Sequence, residues 1–111
     1  MIIAIPVDES KKGKVAPTFG RTTHFLFYDT KTSKRENIEN VKRSSEGDIG
    51  VLSATLIADN KANVLLTPLC RENSRTIFNK ANIKVYRTVS DSVEDNLRAF
   101  LIDSLPVYEE E

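Results

Sequence analysis

The sequence predicts an α/β fold in which a mixed five-stranded sheet carries helices on its faces. Three short strands precede any helix, and the rest of the chain alternates helix and strand, which gives the order β-β-β-α-β-α-β-α. The first apolar run, residues 1–7, is continuous, which is typical of a strand buried on both faces. Right-handed crossovers through the helices then place the later strands beside the first, in the strand order 3-2-1-4-5.

The strands follow from short runs of apolar and aromatic residues. Residues 24–29 are rich in aromatic side chains, and the polar stretch 30–34 suits a hairpin into the next strand. That third strand contains only Ile38 and Val41 as large apolar residues, so we expect it at an exposed edge of the sheet. The five strands are predicted at residues 1–7, 24–29, 35–42, 63–67 and 83–86.

Capping residues and helical spacing define three helices. The first begins after a capping Asp48, the second ends at Asn82, which tolerates the left-handed backbone conformation, and the third begins after Ser90 or Asp91. The first two helices are predicted at residues 49–60 and 72–81. The residues predicted to face the core are Ile49, Leu52 and Leu56 in the first helix, Ile77, Phe78 and Ala81 in the second, and Val93, Leu97, Phe100 and Leu101 in the third. The acidic tail, residues 108–111, is expected to fray.

Composition argues against several functional classes. The 111 residues suit a single domain, 1–111, and 16 basic residues are balanced by 16 acidic ones, which argues against a dedicated nucleic-acid binder. A single cysteine forms no internal disulfide and no multi-cysteine metal site. The apolar start is too short to span a bilayer and lacks the pattern of a signal peptide. We therefore expect a cytoplasmic protein with no membrane interaction, either a monomer or a weak homodimer.

The predicted topology brings four connections to one edge of the sheet. Strands one, three, four and five point the same way, so the connections 8–23, 43–50, 67–72 and 87–91 meet where those strands end. Ligands of open α/β sheets bind at this edge. Helix N-termini add N–H donors there, and basic side chains outnumber acidic ones, so we expect an anionic ligand. The basic side chains are Arg21, His24, Lys42, Arg43, Arg71 and Arg87.

Four segments also carry a family resemblance. They are the opening MIIAIPVDE, the loop VAPTFGRTTHFLFYD, the glycine-bearing turn before the first helix, and the block KANIKVYRTVSDSVEDNLRAFL. Together they resemble the dinitrogenase iron–molybdenum cofactor biosynthesis family, which includes NifX and the C-terminal domain of NifB. The resemblance covers nearly the whole chain. That family has a ribonuclease H-like motif fold, which matches the strand order predicted from the residues.

The resemblance implies a small binding or carrier protein. Its ligand would be an anionic metal–sulfur cluster of the iron–molybdenum or iron–sulfur type, or a precursor, with a protein partner in cluster assembly. The binding rim implied by family position comprises the loop around Phe19–Arg21, the turn 45–50 and the loop 67–73. The residues assigned to binding are Phe19, Gly20, Arg21, Arg43, Ser45, Gly47, Cys70 and Arg71.

Two segments depart from the usual family pattern. The turn before the first helix usually carries a histidine followed by glycines, but here it is Ser45-Glu46-Gly47-Asp48. The loop after the fourth strand is usually glycine-rich, but here it is Thr67-Pro68-Leu69-Cys70-Arg71. These departures favour an alternative, a protein-interaction or regulatory module that has kept the fold and binds no cofactor.

Cys70 and His24 are the candidate metal ligands. A Cys70 thiolate beside Arg71 and a helix N-terminus would have a lowered pKa and could hold a soft metal. Lone cysteines are more often packing residues, and one histidine with one cysteine does not complete a four-ligand site. Both residues therefore also have a purely structural interpretation, Cys70 as a small buried side chain and His24 as the flank of a strand.

Arg21 has two interpretations and the chain shows no catalytic motif. The Arg21 guanidinium either clamps an anion or forms a salt bridge with Asp8 or Glu9. Metal-dependent nuclease chemistry needs several converging carboxylates, but Asp29 should lie at the opposite end of the sheet from Asp8. Since no Ser-His-Asp order and no phosphate-binding glycine loop is present either, we expect a protein that is not an enzyme.

Overall fold

A computed structural model, which describes residues 1–108, has the predicted order of elements. The sheet has the order β3-β2-β1-β4-β5, as the sequence predicted. No helix within residues 1–108 combines the length and apolarity needed to cross a membrane. The strands are β1 (Ile2–Val7), β2 (His24–Asp29), β3 (Arg35–Glu39), β4 (Val64–Thr67) and β5 (Lys84–Arg87), and the helices are α1 (Ile49–Asp59), α2 (Glu72–Lys80) and α3 (Val93–Leu101).

The strand directions create one edge at which most strands end. β1 and β2 are antiparallel, with Val7 opposite His24 and Ile2 opposite Asp29. β2 and β3 are also antiparallel, whereas β4 runs parallel to both β1 and β5. The carboxyl ends of β1, β3, β4 and β5 therefore lie together, and we call this side the upper edge. Asp29 lies at the lower edge, away from Asp8, as expected.

The sheet separates two hydrophobic cores. The first core includes Ala54 and Ile57 of α1 and Phe78 of α2, whereas the second includes Val93 and Leu97 of α3. β1 supplies both, because Ala4 points into the first core and its neighbours Ile3 and Ile5 into the second. This alternation explains why β1 is an unbroken apolar run, since each face of the strand must be buried.

The third strand is shorter than predicted. β3 ends at Glu39 because the next residue, Asn40, turns its side chain inward and is fully buried. The Asn40 amide donates to the carbonyl oxygens of Gly20 and Thr22, at 3.0 and 3.1 Å. The chain then turns, and Val41 is exposed instead of continuing the strand.

Several details of the helices also differ from the prediction. The buried face of α1 is formed by Ser53, Ala54 and Ile57, because α1 lies close to α2, while Ile49, Leu52 and Leu56 are only partly buried. In α2, Ser74 is buried and Ala81 is exposed. The cap of α3 is Ser92, whose hydroxyl accepts from the amide of Asp95, and Leu101 is exposed.

Tyr108, predicted to fray, instead packs against the sheet. Its amide donates to the carbonyl of Val85 at 2.9 Å, and its ring lies between the guanidinium groups of Arg75 and Arg87. Cation–π contacts of this kind hold an aromatic side chain to the surface. The rest of the tail, residues 109–111, lies outside the described residues.

Candidate functional site

A cavity of about 380 Å³ opens at the upper edge of the sheet. It is bounded by the connections that follow β1, β3 and β4, through residues 18–21, 47–50 and 69–74. The sequence predicted that these connections would meet. The fourth connection, residues 87–91, does not line this cavity; it adjoins an earlier part of the first connection, where Lys14 pairs with Ser92 through the backbone and with Asp91 through its ammonium group.

A buried polar network holds the loop 18–21 in place. The carbonyl of Gly20 accepts from the Asn40 amide at 3.0 Å and from the hydroxyl of Ser53 at 2.9 Å. The hydroxyl of Thr22 donates to the carbonyl of Val7, which ties the end of the loop to the end of β1. Because these side chains are buried and mutually bonded, they fix the backbone on one wall of the cavity.

Close backbone approach shapes the second wall. A Cβ atom added to Gly50 would lie 2.7 Å from the Ser74 hydroxyl, and one added to Gly20 would lie 3.4 Å from the Cα atom of Gly50. The loop, α1 and α2 therefore approach each other at positions where two of the three residues have no side chain. Gly47, just before α1, has a φ of 96°, a conformation that favours glycine.

The floor of the cavity is aromatic. Phe19 is buried, and its ring lies 5.7 Å from the ring of Phe78 in a tilted arrangement. Aromatic pairs at such distances add stability beyond the area they bury. The cavity thus has a rigid base joined to the first core, with Leu69 partly exposed at its margin.

Two guanidinium groups dominate the electrostatics of the cavity. Arg21 and Arg71 both line it, are exposed, and make no side-chain hydrogen bond or ion pair with residues 1–108. Arg71 also precedes α2 and provides no side-chain cap, so the first N–H groups of that helix are not capped by a side chain. These donors and charges favour an anion in the cavity.

Asp48 contributes the opposing charge. Its carboxylate caps α1 by accepting from the amide of Val51 at 3.2 Å, and it accepts from the side-chain amide of Asn73 at 3.2 Å. The hydrogen bond from Asn73, followed by that from Val51, lowers the pKa of this carboxyl below its usual value. Asp48 is therefore ionised at neutral pH.

The structure brings together five of the eight residues assigned to binding. Those that line the cavity are Phe19, Gly20, Arg21, Gly47 and Arg71. The others lie elsewhere: the Arg43 guanidinium bonds the Glu39 carboxylate, and Ser45 and Cys70 are not part of the lining. Of the other lining residues, Asp48, Ile49, Gly50, Leu69 and Asn73 fall within the rim implied by family position, whereas Thr18 and Ser74 lie outside it.

Of the two interpretations of Cys70, the structure favours the buried packing residue over the metal-binding thiolate with a lowered pKa. Its side chain is buried in the first core with 3% exposure, and burial raises the pKa of the thiol to about 12. The positive charge of Arg75 lowers the pKa of the thiol, but burial has the larger effect. The thiol is therefore protonated at physiological pH. It packs as a small hydrophobic side chain, which is the usual role of a lone buried cysteine.

Folded protein is expected to resist alkylation at Cys70. At pH 8 iodoacetamide should modify the native protein about 1,000-fold more slowly than the urea-unfolded protein, since a pKa of about 12 leaves few thiolates and burial blocks access. Mass spectrometry of timed samples measures both rates. Stability should also fall as the pH rises from 9.0 towards 12, where only the unfolded thiol readily loses its proton. Equal alkylation rates would contradict this assignment.

His24 does not join the cavity either. Its Nε2 atom lies 3.8 Å from a carboxylate oxygen of Glu9, and its buried Nδ1 atom has no hydrogen-bond partner within residues 1–108. The predicted alternative for Arg21, a salt bridge with Asp8 or Glu9, is absent from the described residues, because Asp8 instead bonds Ser10. Within residues 1–108, no group of three or more His, Cys, Asp or Glu side chains is placed to hold a metal ion.

A larger cavity, about 660 Å³, lies between α2 and β5. Tyr108, the last described residue, is part of its lining. This cavity stands away from the upper edge, where the connections converge. We therefore assign the candidate site to the smaller cavity.

Comparison with known proteins agrees with this fold. The model of a family described as dinitrogenase iron-molybdenum cofactor matches residues 1–102. An uncharacterised protein of Methanocaldococcus jannaschii is 28% identical over 98% of this chain and 92% of its own length. The apo form of the orange protein from Desulfovibrio gigas superposes with a TM-score of 0.86, at 26% identity, covering 96% of this chain and 92% of that one. A Thermotoga protein provisionally named as a NifB protein has the same fold, with a TM-score of 0.81 at 24% identity, over 99% of this chain and 97% of its own.

Proposed function

Since the chain belongs to the dinitrogenase iron-molybdenum cofactor family, we propose that it binds an anionic metal–sulfur cofactor or its precursor in the upper-edge cavity. The proposal concerns binding and carriage, with no catalytic step. The observation that carries it is that one cavity, built by three separate connections, contains two guanidinium groups, those of Arg21 and Arg71, that form no ion pair within residues 1–108.

The lining determines how such a ligand would be held. Among the described residues that line the cavity none carries a thiol or an imidazole, so the metal atoms of the cluster would keep their own sulfide or oxide ligands. The protein would contact those outer atoms through Arg21, Arg71 and the first N–H groups of α2. Charge-assisted hydrogen bonds of this kind bind a preformed anion and release it again without breaking a metal–protein bond.

The family description and one structural relative support an association with a cofactor. The Desulfovibrio gigas relative is described as an apo form, a term for a protein that also exists with a ligand. The alternative from the sequence, an interaction module without a cofactor, predicts no affinity for metal–sulfur anions. One binding measurement therefore separates the two functions.

Tetrathiomolybdate is the probe that we expect to bind. Protein prepared without oxygen, mixed with this dianion and passed through a desalting column should elute with about one molybdenum atom per chain, measured by elemental analysis. The dianion is soluble and rich in sulfide. Its molybdenum atom already has four sulfide ligands, so it needs no metal ligand from the residues that line the cavity. Elution of metal-free protein, together with no heat of binding by calorimetry, would contradict the proposal.

A further inference from the structure

The acidic residue of the cavity has no part in attracting an anion. Asp48 is held from two sides, by the amide of Val51 in α1 and by the side chain of Asn73 in α2. Its carboxylate is therefore fixed where the two helices begin, within the same lining as the two arginines. A helix cap needs a hydrogen-bond acceptor but no charge, because Ser and Asn cap helices about as well as Asp.

The charge of Asp48 is not cancelled within the cavity. Among residues 1–108 it forms no ion pair with Arg21 or Arg71, and the groups that donate hydrogen bonds to it are neutral N–H groups. Any anion that sits between the guanidinium groups therefore also meets a fixed negative charge. The repulsion grows in proportion to the charge of the ligand, whereas contacts with Phe19 and Leu69 do not depend on that charge.

We propose that Asp48 is a specificity-determining residue that filters ligands by charge. It reduces the net positive charge of the lining from two to one. The cost of removing an anion from water grows with the square of its charge, whereas the attraction to the lining grows only in proportion to that charge, so the cavity favours anions of low charge for their size. Sulfide-rich anions meet that condition, because their charge is spread over large, weakly hydrated atoms that also suit the apolar floor. This inference rests on the proposed function and adds the class of ligand that the site selects.

Two substitutions remove the charge and keep the cap. Asp48→Asn and Asp48→Ser are each expected to tighten binding of tetrathiomolybdate about tenfold, or roughly threefold for each unit of ligand charge. Titration calorimetry at low salt measures the affinities, and thermal unfolding checks that both variants fold. The matched control is Asp59→Asn, which makes the same change of charge at the opposite end of α1 and should leave the affinity unchanged.

The outcomes separate this inference from the proposed function. If Arg21→Ala weakens binding while both Asp48 variants bind no more tightly than the wild type, the charge filter is wrong and the binding site stands. If neither the wild type nor any variant binds tetrathiomolybdate, the proposed function and the charge filter are both wrong. A wild type that binds weakly and Asp48 variants that bind clearly would support the filter most strongly.

Discussion

Replacing both arginines of the cavity, as Arg21→Ala/Arg71→Ala, is expected to weaken tetrathiomolybdate binding about 50-fold. Each guanidinium is exposed, so each should contribute roughly 1 to 1.5 kcal/mol to binding, less than a buried charge-assisted hydrogen bond. The two contributions add because the side chains approach the ligand from different loops. Titration calorimetry without oxygen measures the change. Stability should stay within about 0.5 kcal/mol of the wild type, since neither side chain is bonded to residues 1–108.

A control with the same loss of charge tests whether the effect is local. Lys31→Ala/Lys34→Ala also removes two positive charges, but from the hairpin at the lower edge of the sheet. We expect this variant to bind tetrathiomolybdate nearly as well as the wild type. If both double variants lost affinity equally, binding would reflect net charge alone and the cavity would not be the site.

Asn40→Ala is expected to lower the free energy of unfolding by about 2–3 kcal/mol. The fully buried Asn40 amide bonds the carbonyls of Gly20 and Thr22, and its oxygen accepts from the amide of Lys42 at 3.2 Å. Alanine leaves these buried groups without that partner and opens a small void. The loop that carries Arg21 then loses an anchor, so tetrathiomolybdate should also bind less tightly. Urea unfolding gives the stability and calorimetry gives the affinity.

Asn37→Ala is the matched control for this prediction. Asn37 is an exposed residue of β3, three positions before Asn40, and removing its amide should change the stability by less than about 0.5 kcal/mol. Equal effects of the two substitutions would mean that the buried network does not hold the loop. The site would then owe its shape to the hydrophobic floor alone.

The architecture could be predicted because it depends on local sequence patterns, namely apolar runs and the alternation of helix and strand. Residues 1–7 form an unbroken apolar run because both faces of β1 are buried, as in an interior strand of the sheet. Alternation of helix and strand in the second half then fixed the directions of β4 and β5. The convergence of connections at the upper edge followed from those directions without any knowledge of side chains.

The fine structure of the site could not be predicted because it depends on contacts between distant segments. Asn40 lies 20 residues from Gly20 in sequence, and an isolated asparagine after a weak strand gives no sign of burial. Asp48 was recognised as a helix cap within the turn 45–50 of the implied rim, but nothing local indicates that Asn73 would reach its carboxylate. For Cys70 the sequence offered a buried packing residue and a metal ligand, and only the contacts of its side chain with the first core favour the former.

The most direct test is to locate the bound anion on the folded protein. Nitrogen-15 NMR spectra recorded during titration with tetrathiomolybdate should show the largest shifts in residues 18–21, 47–50 and 69–74, and little change at the hairpin 30–34. That result would establish the three connections as one binding site. Shifts confined to other surfaces, or none at a saturating concentration of the probe, would contradict the account.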